Sequence, residues 1–291
     1  MSNNIFEPMD AIRFGWDGLK KNLRFFVILM IIVAAALYAL PALIVLLFFA
    51  FLHPVGTPSL GIFLMAIPLA IIIMAIDITV ELGLLKIALG FRDDKTPQIE
   101  DLFKSYPLLL NYLAASIIYG LMIAGGFIIL SAGGFILGQG VGVGLIAIAL
   151  ILILLGVYLS LKYQFFGYLI VDRGLGPIEA LQQSGRLTEG ALRNLFVFWL
   201  ELYCGIIVIF IFLSISMTSL VSVLAFLMPK VLIPTFSAVA NLVFPIINLL
   251  VILPITKLAT AYIYRALEAH SVASASGMQE PDVEEFADDE Y

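Results

Sequence analysis

Cysteine is nearly absent from this chain of 291 residues: it has one, Cys204. That excludes a disulfide framework within the chain and a zinc cluster. Histidine is almost as scarce. His53 and His270 fall on opposite sides of the layout derived below and cannot share a metal. Charged residues make up only 12% of the chain, and no basic stripe of the kind that binds nucleic acid is present. The alternating ten-residue segments of a membrane β-barrel are missing. So are H-E-x-x-H, G-x-S-x-G and a P-loop. Cys204 and Ser214 have no histidine in reach to serve as a base. Asp77 and Glu81 lie on one helix, an arrangement poorly suited to an aspartyl mechanism. The reading is therefore non-enzymatic, with no catalytic residue, cofactor or metal expected.

What the chain has in excess is apolar length. It is 62% hydrophobic with a mean hydropathy of +1.11, against about 45–50% apolar for soluble domains. A run of about 20 apolar residues crosses a bilayer as a helix. Six such runs are expected, near 25–52, 59–90, 107–132, 141–169, 195–226 and 231–266. The fold class is thus an all-α integral membrane protein with six transmembrane helices. Spans longer than the bilayer requires imply tilt or kinks, and Pro41, Pro68, Pro245 and Pro254 interrupt three of them. Such breaks build transporter sites in some proteins and are tolerated kinks in others. Residues 1–24 are amphipathic and charged, and the apolar run after them is too long for a signal-peptide core, so an uncleaved first span is expected.

The charge distribution gives an orientation. Fourteen of the fifteen Lys and Arg residues, all but Lys230, fall on one side of this layout. Cytoplasmic loops collect Lys and Arg, so both termini are expected inside. The net charge of −6 belongs to the tail: 280–291 carries seven acids, and the rest of the chain has 15 basic against 14 acidic residues. The segment 268–291 is polar and then acidic, a composition that cannot bury enough apolar surface to fold. It is either a solvated tail or a docking peptide (280–291) for a basic cytoplasmic partner.

The expected inner loops carry helix-start chemistry. Pro8-Met9-Asp10-Ala11-Ile12 and Pro177-Ile178-Glu179-Ala180-Leu181 share one pattern, and Pro97-Gln98-Ile99-Glu100-Asp101-Leu102 is a version with an inserted residue. Proline suits the first helical position, and an acid two residues later meets the positive end of the helix dipole. Surface helices are predicted within 1–24, near 96–106 and at 177–189. Ile12, Trp16 and Leu19, or Ile178, Leu181 and Leu187, would form faces turned down onto the headgroup plane. The returning spans also echo each other: Lys86 before Gly90-Phe91, Lys162 before Gly167-Tyr168, Lys257 before Ala261-Tyr262. Together these imply three parallel repeats of elbow helix plus helical hairpin, at a period of about 80–90 residues.

The segment Val171-Asp172-Arg173-Gly174-Leu175-Gly176-Pro177-Ile178-Glu179-Ala180-Leu181, continuing through Ser184 to Leu187-Thr188-Glu189-Gly190, resembles the signature of the membrane domain that precedes bacterial glycerophosphoryl diester phosphodiesterases. Stand-alone membrane relatives of unassigned function carry it too. The resemblance implies a fold and a bacterial or archaeal cytoplasmic membrane. It implies no catalytic residues, because the phosphodiesterase chemistry of two-domain relatives belongs to a separate soluble barrel. The motif residues have a structural reading. Gly174 and Gly176 allow a tight turn. Pro177 and Glu179 start a helix. Ala180 and Ser184 allow close packing, and Gly190 ends the helix.

Ionisable residues within spans are the usual functional candidates. Asp77, Glu81, Lys86, Lys162, Glu201 and Lys257 all fall in the expected cytoplasmic third and could form one neutral cluster facing a cavity. Alternatively, the three lysines snorkel to the headgroups. Three functions stay open: a non-enzymatic protein that organises lipid or partner proteins through its elbows; a small permease using the charge cluster; and a membrane module working with a separate soluble lipid-metabolism enzyme.

Overall fold

A computed structural model describes residues 5–52, 59–137, 143–227 and 242–276. Residues 53–58 with His53, residues 138–142, Lys230 and the 280–291 tail lie outside the described residues. About 89% of the structure is helical, with no strand among the described residues. Among the described residues, six helices are long and apolar enough to cross a membrane.

The first elbow is helix α1 (Pro8–Lys21), with Pro8 and Asp10 in its first turn and Lys20 and Lys21 in its last. The first crossing follows as α2 (Leu23–Ala34), a π-helical turn (Ala35–Ala39) and α3 (Leu40–Leu52). Next comes α4 (Ser59–Arg92), then two 3-10 turns (Ile99–Leu102 and Tyr106–Leu108) and α5 (Leu109–Leu137). The fourth crossing breaks into α6 (Val143–Tyr163) and α7 (Phe166–Arg173). Elbow α8 (Pro177–Leu187) leads to α9 (Leu192–Leu227). The last crossing is α10 (Val243–Ile247), a π-helical turn (Asn248–Ile252) and α11 (Leu253–Ser276).

The two π-helical turns have one cause. Each ends just before a Leu-Pro pair, Leu40-Pro41 and Leu253-Pro254. A proline within a helix lacks its N–H and pushes against the carbonyl four residues back. Those carbonyls belong to Leu37 and Leu250, inside the two turns, and widening the turn relieves the contact.

Burial is concentrated at the end where the basic residues lie. Leu82, Ile87, Phe165, Ile170, Leu195, Phe198, Leu258 and Tyr264 are all buried there. Further along α9, Ile207 through Phe212 are all exposed large apolar residues. An apolar surface of that extent is unstable in water and is what lipid covers.

Each elbow packs on a returning crossing through a small-residue contact. Helix α1 lies on α11 with Ala11, Gly15 and Leu19 buried. A Cβ on Gly15 would stand 2.6 Å from the Ile255 carbonyl oxygen. The Ile99–Leu102 turn lies on α4, where a Cβ on Gly83 would stand 2.0 Å from the Leu102 carbonyl oxygen. Helix α8 lies on α6 and α7 with Ala180, Ser184 and Gly185 buried.

The buried stripe of α1 is Ala11–Gly15–Leu19; Ile12 is half-buried and Trp16 is 43% exposed, with Lys20 Nζ 4.8 Å from its ring centroid. One expectation changes here. Near 96–106 the surface helix is replaced by two 3-10 turns. Pro97 precedes the first turn, and Pro107 sits in the opening positions of the second, where its missing N–H is tolerated. A capping box between Gln98 and Asp101 closes the first of them.

Candidate functional site

The six ionisable residues singled out from the sequence do not assemble as one cluster. Lys257 on α11 forms an ion pair with Glu81 on α4. Asp77, one turn away from Glu81, lines a crevice of about 460 Å³ with Glu81, Tyr38 and Tyr112. Glu81 and Tyr112 also border a second cavity of about 140 Å³, walled by Lys257, Tyr168 and Trp199. The π-helical turns reach this place: Leu37 and Tyr38 belong to one, and Leu253 follows the other.

Lys86, Lys162 and Glu201 form no ion pair among the described residues. Five residues separate Lys86 from Glu81, which turns it about 140° round the helix from the crevice. The Lys162 ammonium lies 5.8 Å and 6.0 Å from the ring centroids of Tyr158 and Tyr163. Glu201 is half-buried, and its Oε2 is buried without a hydrogen-bond partner among the described residues.

The dominant charge constellation lies elsewhere, at the ends of the three returning crossings. Arg265 on α11 uses all five of its N–H donors. Nε and Nη2 donate to Asp93, just past α4, at 2.9 and 2.8 Å. Nη1 and Nη2 donate to Asp172 on α7, both at 2.8 Å. Nη1 also donates to Glu268 at 2.6 Å. Arg173 pairs with the other oxygen of Glu268, and Lys95 Nζ lies 3.4 Å from Asp93. Three acids thus meet three bases. Tyr264 donates to Asp172 at 3.0 Å, and its ring stacks on Tyr168 with centroids 5.5 Å apart. Partial burial alone would raise the Asp93 carboxyl, but the hydrogen bonds and charge of Arg265, with Lys95, hold it below the ordinary carboxylate value. Sequence reasoning missed this clasp. The available signal was an acid or base shortly after each echo, Asp93, Asp172 and Arg265.

The motif residues are placed as follows. Gly174 caps α7 at φ +66°, and its N–H donates to the Ile170 carbonyl at 2.9 Å. Gly176 has φ −67°, which any residue adopts. Pro177 begins α8, and Glu179 is an exposed acid in its first turn. Ser184 holds the break between α6 and α7: Phe165 N–H donates to Ser184 Oγ at 3.1 Å, and the Ser184 and Thr188 hydroxyls donate to the Lys162 carbonyl at 3.3 and 3.0 Å. Helix α8 already ends at Leu187, with Thr188 as its cap. Gly190, at φ +81°, instead turns the chain towards α9.

A third concavity, about 350 Å³, lies where α8 covers α5 and α6; Lys162, Tyr163, Arg186, Ile118 and Met122 line it. Among the described residues, no group of three His, Cys, Asp or Glu side chains is placed to hold a metal ion. No protein-family model matches the chain, and no curated protein or solved structure matches it either.

Proposed function

We propose that this chain is a non-enzymatic multi-pass membrane protein that organises lipid at the cytoplasmic face through three elbows, with both termini inside. One observation carries the reading. Each elbow docks by one face onto a returning crossing and leaves apolar or aromatic side chains outward at the basic end: Met9 and Trp16 on α1, Phe103 after the first 3-10 turn and Tyr106 in the second, and Ile178 on α8. Aromatic and long basic side chains side by side, as in Trp16 with Lys20, favour the headgroup layer. The docking also closes on itself. The elbow of the first hairpin packs on the last returning crossing, the second on the first and the third on the second, which supports three repeats arranged as a ring.

The test uses the two tryptophans, Trp16 and Trp199. With Trp199→Phe, Trp16 is the sole reporter. In bilayers it should be quenched strongly by lipids brominated near the headgroup and weakly by those brominated near the chain end. In the same vesicles, fluorescently labelled anionic lipid should self-quench around the protein, and less so for Trp16→Ser. Deep quenching of Trp16, or labelled lipid spread uniformly around the protein, would overturn the reading.

A second reading, a small permease, is favoured by one feature: the Asp77–Glu81 crevice beside two π-helical turns. Flux in reconstituted vesicles that Asp77→Asn with Glu81→Gln abolishes, leaving folded protein intact, would replace the first reading with this one.

A further inference from the structure

We propose that the groove between α5, α6 and α8 holds one anionic phospholipid, its phosphodiester between Lys162 and Arg186 and its upper acyl chain along Ile118 and Met122. This deepens the lipid-organising reading and rests on it. The groove is amphiphilic along its length. Its rim carries Lys162 and Arg186, and its lower wall carries Ile118 and Met122, one turn apart on the same face of α5. At about 350 Å³ it falls at the small end of ligand pockets, roughly 300–1,000 Å³, which suits a headgroup and the first chain carbons rather than a whole lipid.

The two cations lack the carboxylate partner that three others at this end of the molecule have. Arg173, Lys257 and Arg265 each hold a carboxylate. Lys162 and Arg186 form no salt bridge among the described residues. Lys162 is also fixed in place from its backbone. The Ser184 and Thr188 hydroxyls bind its carbonyl. Gly185 lets the lysine stem lie against α8, where a Cβ would stand 3.4 Å from Lys162 Cε. A preset ammonium beside an arginine is a phosphate-recognition pair, with the guanidinium able to grip two oxygens. Glu189 on the same rim leaves the groove one positive charge in excess. That matches a headgroup with a single negative charge, and the glutamate can accept a hydrogen bond from a headgroup hydroxyl. Phosphatidylglycerol meets both conditions.

The experiment is native mass spectrometry of the full chain released from mixed micelles. Phosphatidylglycerol, phosphatidylcholine and soluble glycerophosphoglycerol are offered in separate arms. One phosphatidylglycerol per chain should survive activation that strips phosphatidylcholine. Lys162→Gln with Arg186→Gln should weaken its retention by about tenfold or more, whereas Arg13→Gln with Lys21→Gln, an equal loss of charge elsewhere, should not. Glu189→Gln keeps an acceptor oxygen for the headgroup hydroxyl but removes the charge that repels the phosphate, so it should tighten retention. Equal retention of the two lipids, an unaffected Lys162/Arg186 variant, or equal retention of soluble glycerophosphoglycerol would each overturn the assignment. The Trp16 quenching profile of the Lys162/Arg186 variant separates the two levels. A shallow profile with lost retention supports both, a shallow profile with unchanged retention overturns only the groove, and a deep profile overturns the elbow reading itself.

Discussion

Replacing Arg265 with Gln removes one side chain from three helix ends at once. It leaves Asp93, Asp172 and Glu268 facing each other with only Arg173 and Lys95 to compensate. Breaking a buried ionic network by deleting one partner typically costs about 3–5 kcal/mol. The clasp is less buried than that: the side chains of Arg265, Asp93, Asp172 and Glu268 are 21%, 20%, 19% and 20% exposed. Solvent therefore screens part of the interaction, and a loss of about 2–3 kcal/mol is expected for Arg265→Gln. Arg265→Lys keeps the charge but has three donors in place of five and cannot grip two carboxylates side by side, so it should recover only about half of that. The assay is reversible SDS unfolding of the purified protein in mixed micelles, followed by circular dichroism. A double-mutant cycle with Asp93→Asn isolates the direct pair. The pH dependence has a definite sign. The Asp93 carboxyl is held below its ordinary value in the folded protein, so its contribution is present above the unfolded pKa of about 3.9 and disappears as pH falls through the lower folded value. The slope against pH in this acid range should flatten in Arg265→Gln. Parent, Gln and Lys variants unfolding within about 0.5 kcal/mol of one another would refute the clasp as a stabilising element.

The other predictions concern single positions. Gly174→Ala forces a side chain to φ +66° and should cost about 1 kcal/mol, whereas Gly176→Ala, at φ −67° with open space around its Cβ position, should leave SDS unfolding unchanged. Ser184→Ala strips the buried Phe165 N–H of its acceptor and should cost about 1–3 kcal/mol, with faster amide exchange at Phe165 as its local readout. Lys257→Met leaves the half-buried Glu81 carboxylate without its partner, so Lys257→Met with Glu81→Gln should be more stable than Lys257→Met alone; equal stabilities would mean the pair carries no energy.

How far the sequence carried depended on how local each cause was. The crossings were legible because lipid selects apolar length, a property of contiguous residues: the run expected at 195–226 corresponds to Leu192–Leu227, and the one at 59–90 to Ser59–Arg92. The helix-start pattern was legible too, and α1 and α8 both begin at its prolines. The third copy, the one with an inserted residue, forms two short 3-10 turns instead. The face of α1 that packs on α11 was not legible, because hydrophobicity marks Ile12 and Trp16, while closeness to α11 demands the smallest side chain, Gly15.

The charge pairings needed information that no local pattern holds. That Asp77 and Glu81 share a face follows from four-residue spacing, and both line one crevice. Which of three lysines would meet them did not follow, because Lys257 lies 176 residues from Glu81 and its choice depends on the rotation of α11 against α4. The clasp is a stronger case. Asp93 and Arg265 are 172 residues apart, and each looks in isolation like an ordinary charge flanking a span. Their meeting is a consequence of three returning crossings converging at one end, where Tyr168 stacks on Tyr264 and both rings fill the space beneath the clasp. A charge can be assigned to structure rather than to transport once its geometry is known: all five N–H donors of Arg265 are used within the protein, which leaves the guanidinium no donor for a passing ligand, while among the described residues no hydrogen bond uses the side-chain donors of Lys162 or Arg186.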